Sequence, residues 1–362
     1  MRTFFAKHKK LHIWLLADLG LLAAFWLCRG NRDWMNALAE QVTGPLRLWI
    51  GSICYRTPVS VMEGLCILAA LFVPGYLLWA AVDLARKKGR RRSAGYGWCL
   101  GAVNLGLTVY LGFCFLWGVN YYTDSFQDKS GIRAEPVTVE DLQAVTVYFE
   151  QQVSAAAPLV ERDENGVFAV PRQQLLPYAV HVYDRVEELF PFLTLEDPGV
   201  KPVHFSRIMS RLDFTGVYCP FTGESNVNMD SPACMLPANI AHELAHQRGI
   251  AAEQECNFLA ILAATTCDDP AYNYSGWLFG YLYLSNALYR ADREAWLESR
   301  QRVHPAVNAD FAYHSDYWQQ FRDTPVQKVS NKVYDSFLKS YGDQDGIQSY
   351  GTVVDLLVAY YR

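Results

Sequence analysis

The sequence predicts a helix-rich α+β chain in two regions, a first third of membrane helices and a globular remainder with a small sheet. Three observations carry that expectation. Three apolar runs of about 20 residues crowd into residues 1–119. The charge balance reverses beyond them, from 14 Lys+Arg against five Asp+Glu in residues 1–119 to 18 against 32 in residues 120–362. Helical spacing of apolar residues then dominates the remainder, with only short stretches of strand-like composition. At 362 residues the chain is long enough for a membrane anchor and one sizeable domain.

The apolar runs come first. They are "LHIWLLADLGLLAAFWLC" (11–28), "VSVMEGLCILAALFVPGYLLWAAV" (59–82) and "WCLGAVNLGLTVYLGFCFLWGV" (98–119). A span needs about 20 mostly apolar residues, and Trp at or near the ends (Trp26, Trp79, Trp98, Trp117) suits a headgroup boundary. Asp18 interrupts the first run and has no partner that the sequence identifies. Glu63 sits near one end of the second, an interfacial position. The basic start "MRTFFAKHKK" resembles the opening of a signal peptide, but the apolar part is long and no A-x-A-like site clearly follows it, so an uncleaved helix is expected. Lys and Arg set the orientation. "RKKGRRR" (86–92) and the basic N-terminus belong on the cytoplasmic side, which puts residues 120–362 outside the cell membrane. Anionic lipid is a further partner for "RKKGRRR", although setting the topology is role enough.

The nine cysteines contain no CxxC pair, which argues against a thiolate metal site, and no tight spacing pattern compels disulfides. The acidic remainder has no basic patch, which excludes nucleic acid as the expected partner.

Within the remainder, residues 120–137 read as a linker. Thr138 is the expected N-cap of a helix, with Asp141 at the third helical position and Val139, Leu142, Val145, Phe149 and Val153 at helical spacing. A second helix is expected over 173–190. "KPVHFS" (201–206) and "TGVYC" (215–219) read as strands. "GESNVNM" (223–229) alternates around Val227 and predicts a half-exposed edge strand, with Glu224, Ser225, Asn226, Val227 and Asn228 available to an extended peptide. Helices are expected again at about 274–300, 315–322, 326–340 and 349–361. The expected division is therefore 1–119 membrane region, 120–137 linker and 138–362 domain.

The stretch "ANIAHELAHQRGIAAEQECN" (238–257) carries the chemistry. Residues i and i+4 share a helix face, so His242 and His246 present two imidazoles to one point. This is the HExxH arrangement of zinc hydrolases, with Glu243 as general base toward a metal-activated water. Pro237 suits the first helical turn, and Gly249 suits a left-handed stop after Arg248. Zinc needs a third protein ligand. On a second helix starting near Ala251, Glu253 lies on a small, polar face with Cys256, Asn257, Ala260 and Ala264. Glu255 lies about 200 degrees away among larger residues. The wheel favours Glu253 as the third ligand and keeps Glu255 as the alternative. Asn257, one turn on, is placed to hydrogen-bond a ligand. Position 252, where HExxHxxGxxH would need a third histidine, is alanine, and Glu294 and Glu298 are more distant alternatives. No apolar run of membrane length includes the motif, so an intramembrane protease is not expected.

The chain resembles an uncharacterised family of bacterial membrane proteins, grouped by motif with HExxH zinc metallopeptidases of the gluzincin type. The resemblance rests on "GVYCPFTGESNVN", "LPANIAHELAHQRGIAAEQECNFLA", "YNYSGWL", "YWQQF" and "DGIQSYGTVVDLL". It implies a zincin-like domain, His242 and His246 as ligands, and Glu243 as catalyst. Gluzincins commonly carry E-x-x-A-D on the following helix. "EQECN" is similar, with Glu253 in the ligand position and Asn257 where Asp is usual.

The expected function is a membrane-anchored zinc metallopeptidase. Its partners are the bilayer and a peptide or protein substrate, which includes cell-envelope material. Tyr274, Tyr281, His304 and His314 are candidate donors to the developing oxyanion. Two alternatives stand beside it: a non-catalytic sensor or scaffold with a structural zinc site, and a zinc amidase acting on a cell-envelope component.

Overall fold

Periods of 3.6 residues fill most of the chain, and helices follow them. The computed structural model describes residues 6–340 and 350–362. It divides into two units. One comprises Met1–Cys54, Val61–Thr123 and Pro220–Thr222; the other comprises Tyr55–Ser60, Asp124–Cys219 and Gly223–Arg362.

In the first unit, three helices are long and apolar enough to cross a membrane: α1 (Lys9–Cys28), α2 (Val61–Arg86) and α3 (Arg91–Leu116). Large apolar side chains such as Leu27, Leu71, Leu78 and Trp79 face outward, as a lipid-facing surface requires. α1 and α3 are joined by a row of polar contacts. His12 meets the Tyr96 hydroxyl at 2.7 Å, Asn104 donates to the Leu11 carbonyl at 2.9 Å, and Thr108 donates to Asp18 at 2.8 Å. Trp14 donates to the same threonine hydroxyl. Asp18, the charge without an evident partner in sequence, is thus buried against α3. Hydrogen bonds of this kind hold helices together where lipid provides no hydrophobic drive.

The second unit is built on helices around one core. The short helix α4 (Phe126–Ser130) lies inside the stretch expected as a linker, and its Phe126 is fully buried. Burial of that ring draws the stretch into the domain. α5 (Val139–Ala156) begins at Thr138, whose hydroxyl accepts from the Asp141 amide as expected. The continuous helix expected over 173–190 is instead broken into Arg172–Leu175, a 3-10 turn at Pro177–His181 and Asp184–Leu189. Pro177 supplies no amide hydrogen to continue a helix from Arg172.

The sheet has three strands, β1 (Lys201–Pro202), β2 (Gly216–Cys219) and β3 (Glu224–Val227), in the order β1-β3-β2. β3 pairs parallel with β1 and antiparallel with β2. The edge-strand expectation for 224–228 is therefore wrong. β3 is central, and Glu224, Ser225, Asn226, Val227 and Asn228 are all buried. Their polarity misled because each polar side chain has an internal partner. Glu224 pairs with Lys201, Ser225 donates to the Glu243 carbonyl, Asn226 donates to the Val217 and Glu224 carbonyls, and Asn228 donates to Ser210 and the Phe214 carbonyl. The segment Tyr55–Ser60 joins this network. The Tyr55 hydroxyl donates to the Gly199 carbonyl and accepts from the Ser225 amide, and Ser60 donates to Asn226.

Helices α6 (Leu236–Gln247), α7 (Glu253–Thr266) and α8 (Pro270–Ala291) form the centre of the unit. α9 (Arg293–Arg302), α10 (Pro305–Gln319), α11 (Pro325–Ser340) and α12 (Tyr350–Tyr361) complete it. Asp269 and Asp292 cap α8 and α9, each accepting two backbone amides. No disulfide joins two cysteines among the described residues.

Arg248, at the end of α6, is almost wholly buried. It pairs with Asp197 at 2.7 Å and Glu187 at 2.6 Å, and its guanidinium lies 3.8 Å from the Tyr183 ring centre. Removing one member of a buried ionic cluster strands the others. Arg248→Met is expected to destabilise the domain by about 3–5 kcal/mol. Thermal unfolding of the full chain in lipid nanodiscs measures this, and an unchanged melting temperature would refute it.

Candidate metal centre

Pro237 occupies the first turn of α6, and the turn after Arg248 is made by Gly249 at φ 88°, a left-handed conformation that costs glycine little. The chain reverses there and starts α7 at Glu253. Ala241 and Ala245 of α6 and Ala260 and Ala264 of α7 are fully buried, and Ala264 lies against Gly276 of α8, where an added Cβ would come within 2.7 Å of it.

The result is a three-residue group. His242 Nε2 lies 3.2 Å from Glu253 Oε2, and His246 Nε2 lies 3.6 Å from Glu253 Oε1. The three prospective ligand atoms lie within 4.8 Å of one another. The two short separations reach different oxygens of the Glu253 carboxylate, and the three residues together form a group that could hold a metal ion. The far ring nitrogens are already committed. His242 Nδ1 lies 2.8 Å from Asn257 Oδ1, and His246 Nδ1 lies 2.8 Å from the Ile250 carbonyl. Each acceptor fixes a proton on Nδ1 and turns Nε2, the nitrogen that would ligate a metal, toward the group. One further side chain reaches in. Tyr334 of α11 donates its hydroxyl to Glu253 Oε1 at 2.6 Å.

Glu243 lies beside this group without joining it. It is buried, and its Oε2 has no hydrogen-bond partner among the described residues. Burial pushes its carboxyl up, the imidazoles of His242 and His246 pull it back and Glu253 raises it again, which brings it to about 7. A cation in the group would pull it down further. An orphaned buried carboxylate oxygen next to two imidazoles and a carboxylate fits a site that holds an ion and a water. Glu253 follows a related balance. Burial works to raise its carboxyl, but the charge of His246 and hydrogen bonds with both imidazoles hold it well below the usual range. His246 is opposed by burial yet held well above the ordinary imidazole range by Cys256 and Glu253.

β2 closes over Glu243. A Cβ at Gly216 would collide with the Glu243 carboxylate, so this strand position has no room for a side chain. β2 is a sheet edge. The Asn228 amide donates to the Thr215 carbonyl, and alternation along the antiparallel ladder then turns the main-chain groups of Gly216 and Tyr218 away from β3.

Glu255, the alternative third ligand, is engaged elsewhere. Its carboxylate accepts the Phe126 and Gln127 amides at 2.9 and 3.2 Å, at the start of α4. The wheel separation of the two glutamates becomes a division of labour between the two sides of α7. Glu298 pairs with Arg302. The four oxyanion candidates also have other engagements. Tyr274 donates to buried Asp310, Tyr281 bonds Ser299, His304 caps α10 through its ring, and His314 accepts from Trp318. The structure brings none of these polar contacts to the His–His–Glu group. It brings Tyr334 instead, which the sequence reading missed. Its only local signal is an amphipathic helix with Tyr334 and Phe337 one turn apart, a pattern common to many surface helices.

Fold and group together define a helix-rich protein with apolar helices of membrane length and an HExxH helix completed by a glutamate on the next helix. The chain belongs to the family described as protein of unknown function (DUF3810), which matches residues 44–358. No curated protein and no solved structure matches it.

Two contrasts test the group. Glu253→Gln is expected to abolish stoichiometric zinc binding, whereas Glu255→Gln retains it and loses stability instead, by about 1–3 kcal/mol. Asn257→Ala and Tyr334→Phe are each expected to weaken zinc binding about 10–100-fold. Competition with a chromogenic chelator reads all four. Zinc binding lost in Glu255→Gln and kept in Glu253→Gln would reverse the assignment.

Proposed function

We propose that this chain is a membrane-anchored, zinc-dependent metallopeptidase. The observation that carries the reading is the His242–His246–Glu253 group with the orphaned Glu243 oxygen beside it. The three residues would hold zinc, which supplies Lewis-acid activation of a water and of the substrate carbonyl. Glu243 takes the proton of the attacking water and returns it to the leaving amine, and its desolvated carboxylate is a stronger base than one in bulk water. Asn257 and the Ile250 carbonyl keep both imidazoles in the ligating tautomer. An extended substrate would lie along β2, the sheet-edge strand that covers Glu243.

A structural zinc site in a sensor or scaffold is the second reading. Structural sites are closed by a fourth protein ligand. The nearest thiol, Cys256, lies 3.3 Å from His246 Nδ1, the nitrogen turned away from the group, and so is not that ligand. A zinc amidase acting on a cell-envelope component uses the same residues and differs only in substrate. For the orientation, the basic 86–92 segment supports a cytoplasmic N-terminus and an extracytoplasmic domain.

Glu243→Gln is expected to keep about one zinc per chain and to lose casein hydrolysis by roughly 10²–10⁴-fold. Metal analysis and a fluorescent-casein assay on the nanodisc-embedded chain measure both. Wild-type activity in the variant would sink the reading, and so would a wild-type chain that binds no zinc.

A further inference from the structure

Among the described residues, α6 carries three buried side-chain atoms without a hydrogen-bond partner: Asn239 Nδ2, Glu243 Oε2 and Gln247 Oε1. Gln247 is anchored by its other end, where its amide nitrogen donates to the Tyr55 hydroxyl at 3.2 Å. Glu243 has its use in the proposed reaction. Asn239 has neither an anchor nor a use. An unpaired buried donor costs free energy, and a leucine of nearly the same shape would avoid that cost.

Helix geometry puts the Asn239 amide beside the metal group. At 100 degrees per residue, His246, Glu243 and His242 lie about 20, 40 and 60 degrees from Asn239, so it stands near the middle of the face that carries them. Asn239 is 7 % exposed and Glu243 4 %, so the amide is no more covered than the base. Access that serves Glu243 serves its neighbour one turn away.

Distance and the pleat of β2 decide what the amide meets. His242 and His246 average at the level of residue 244, which is about 7.5 Å along the axis from Asn239. One residue of an extended chain advances about 3.3–3.4 Å and two about 6.6–7 Å. The amide therefore lies at the level of a substrate residue flanking the scissile bond, not of the carbonyl at the metal. β2 packs on α6, and burial alternates along it, with Gly216 and Tyr218 on the covered side and Gly216 against Glu243. A substrate lying along β2 continues that pleat. Its main-chain groups stay in the plane of the sheet, and alternate side chains point to α6. The Asn239 amide thus faces a side chain, and Nδ2, a donor only, takes an oxygen from it.

We infer that Asn239 selects peptides with an amide or carboxylate side chain beside the scissile bond, Nδ2 donating to the oxygen of that side chain. This rests on the peptidase reading above.

The test uses the zinc-loaded full chain in nanodiscs and three peptide hydroxamates that differ in one side chain next to the metal-binding group. That side chain is asparagine, aspartate or leucine, which are nearly the same shape. Calorimetry reads binding without requiring turnover. The asparagine compound is expected to bind at least about tenfold more tightly than the leucine compound, which leaves the donor unpaired. An aspartate compound that matches asparagine shows that a carboxylate oxygen serves as well, and one that falls to the leucine level limits the preference to a neutral amide. Asn239→Leu is expected to erase the preference while zinc content holds and the melting temperature stays or rises, because the change removes an unpaired buried donor. Asn239→Asp is expected to reject the aspartate compound and keep the asparagine compound, whose own amide donates to the new carboxylate. Equal affinity for the asparagine and leucine compounds in the wild type overturns the proposal, as does a preference that survives Asn239→Leu. A lower melting temperature in both variants also overturns it, by making Asn239 a structural residue. A wild type that holds no zinc, or holds it and binds none of the three compounds, is a different failure, because it removes the peptidase reading and the role of Asn239 with it.

Discussion

The close crossing of α6 and α7 is the constraint on which the site depends. Two imidazoles one turn apart define a point in space, but a third ligand reaches it only if the next helix comes back at once. Gly249 makes that return possible by adopting a backbone conformation that most residues avoid. The buried Arg248 cluster lies at the same corner and ties the end of α6 to Asp197 and Glu187. A small turn and one buried arginine therefore hold the corner at which two histidines meet a glutamate.

Most polar groups at the His–His–Glu group have partners, and one that does not is informative. Asn257, the Ile250 carbonyl and Tyr334 each satisfy one atom of the ligand group, and Glu255 is absorbed by the start of α4. Glu243 keeps one oxygen without a partner in a buried setting. An unsatisfied buried carboxylate oxygen costs free energy in the resting fold. Sites that retain such a cost are commonly those where a bound ion, water or substrate removes it.

The same accounting explains two features outside the site. Asp18, which would be expensive alone in lipid, is satisfied by Thr108 on the helix that packs against it. The polar strand β3 is buried because Lys201, Ser60, Tyr55 and the carbonyls of its neighbours meet its side chains. In both cases a residue that looks solvent-facing or functional by type is structural by contact.

What was legible in the sequence was local and periodic. Apolar runs of membrane length, the i, i+4 pairing of His242 and His246, the Gly249 stop and the preference of the wheel for Glu253 over Glu255 all follow from helix geometry within about 20 residues. Tertiary structure alone decided the rest. Tyr334 meets Glu253 across 81 residues, Asp18 meets Thr108 across 90, and Tyr55 meets Ser225 across 170. Strand order, and hence which strand is the edge, belongs to the same class. Periodicity tells a residue which face of its own element it occupies, but nothing about which distant element covers that face.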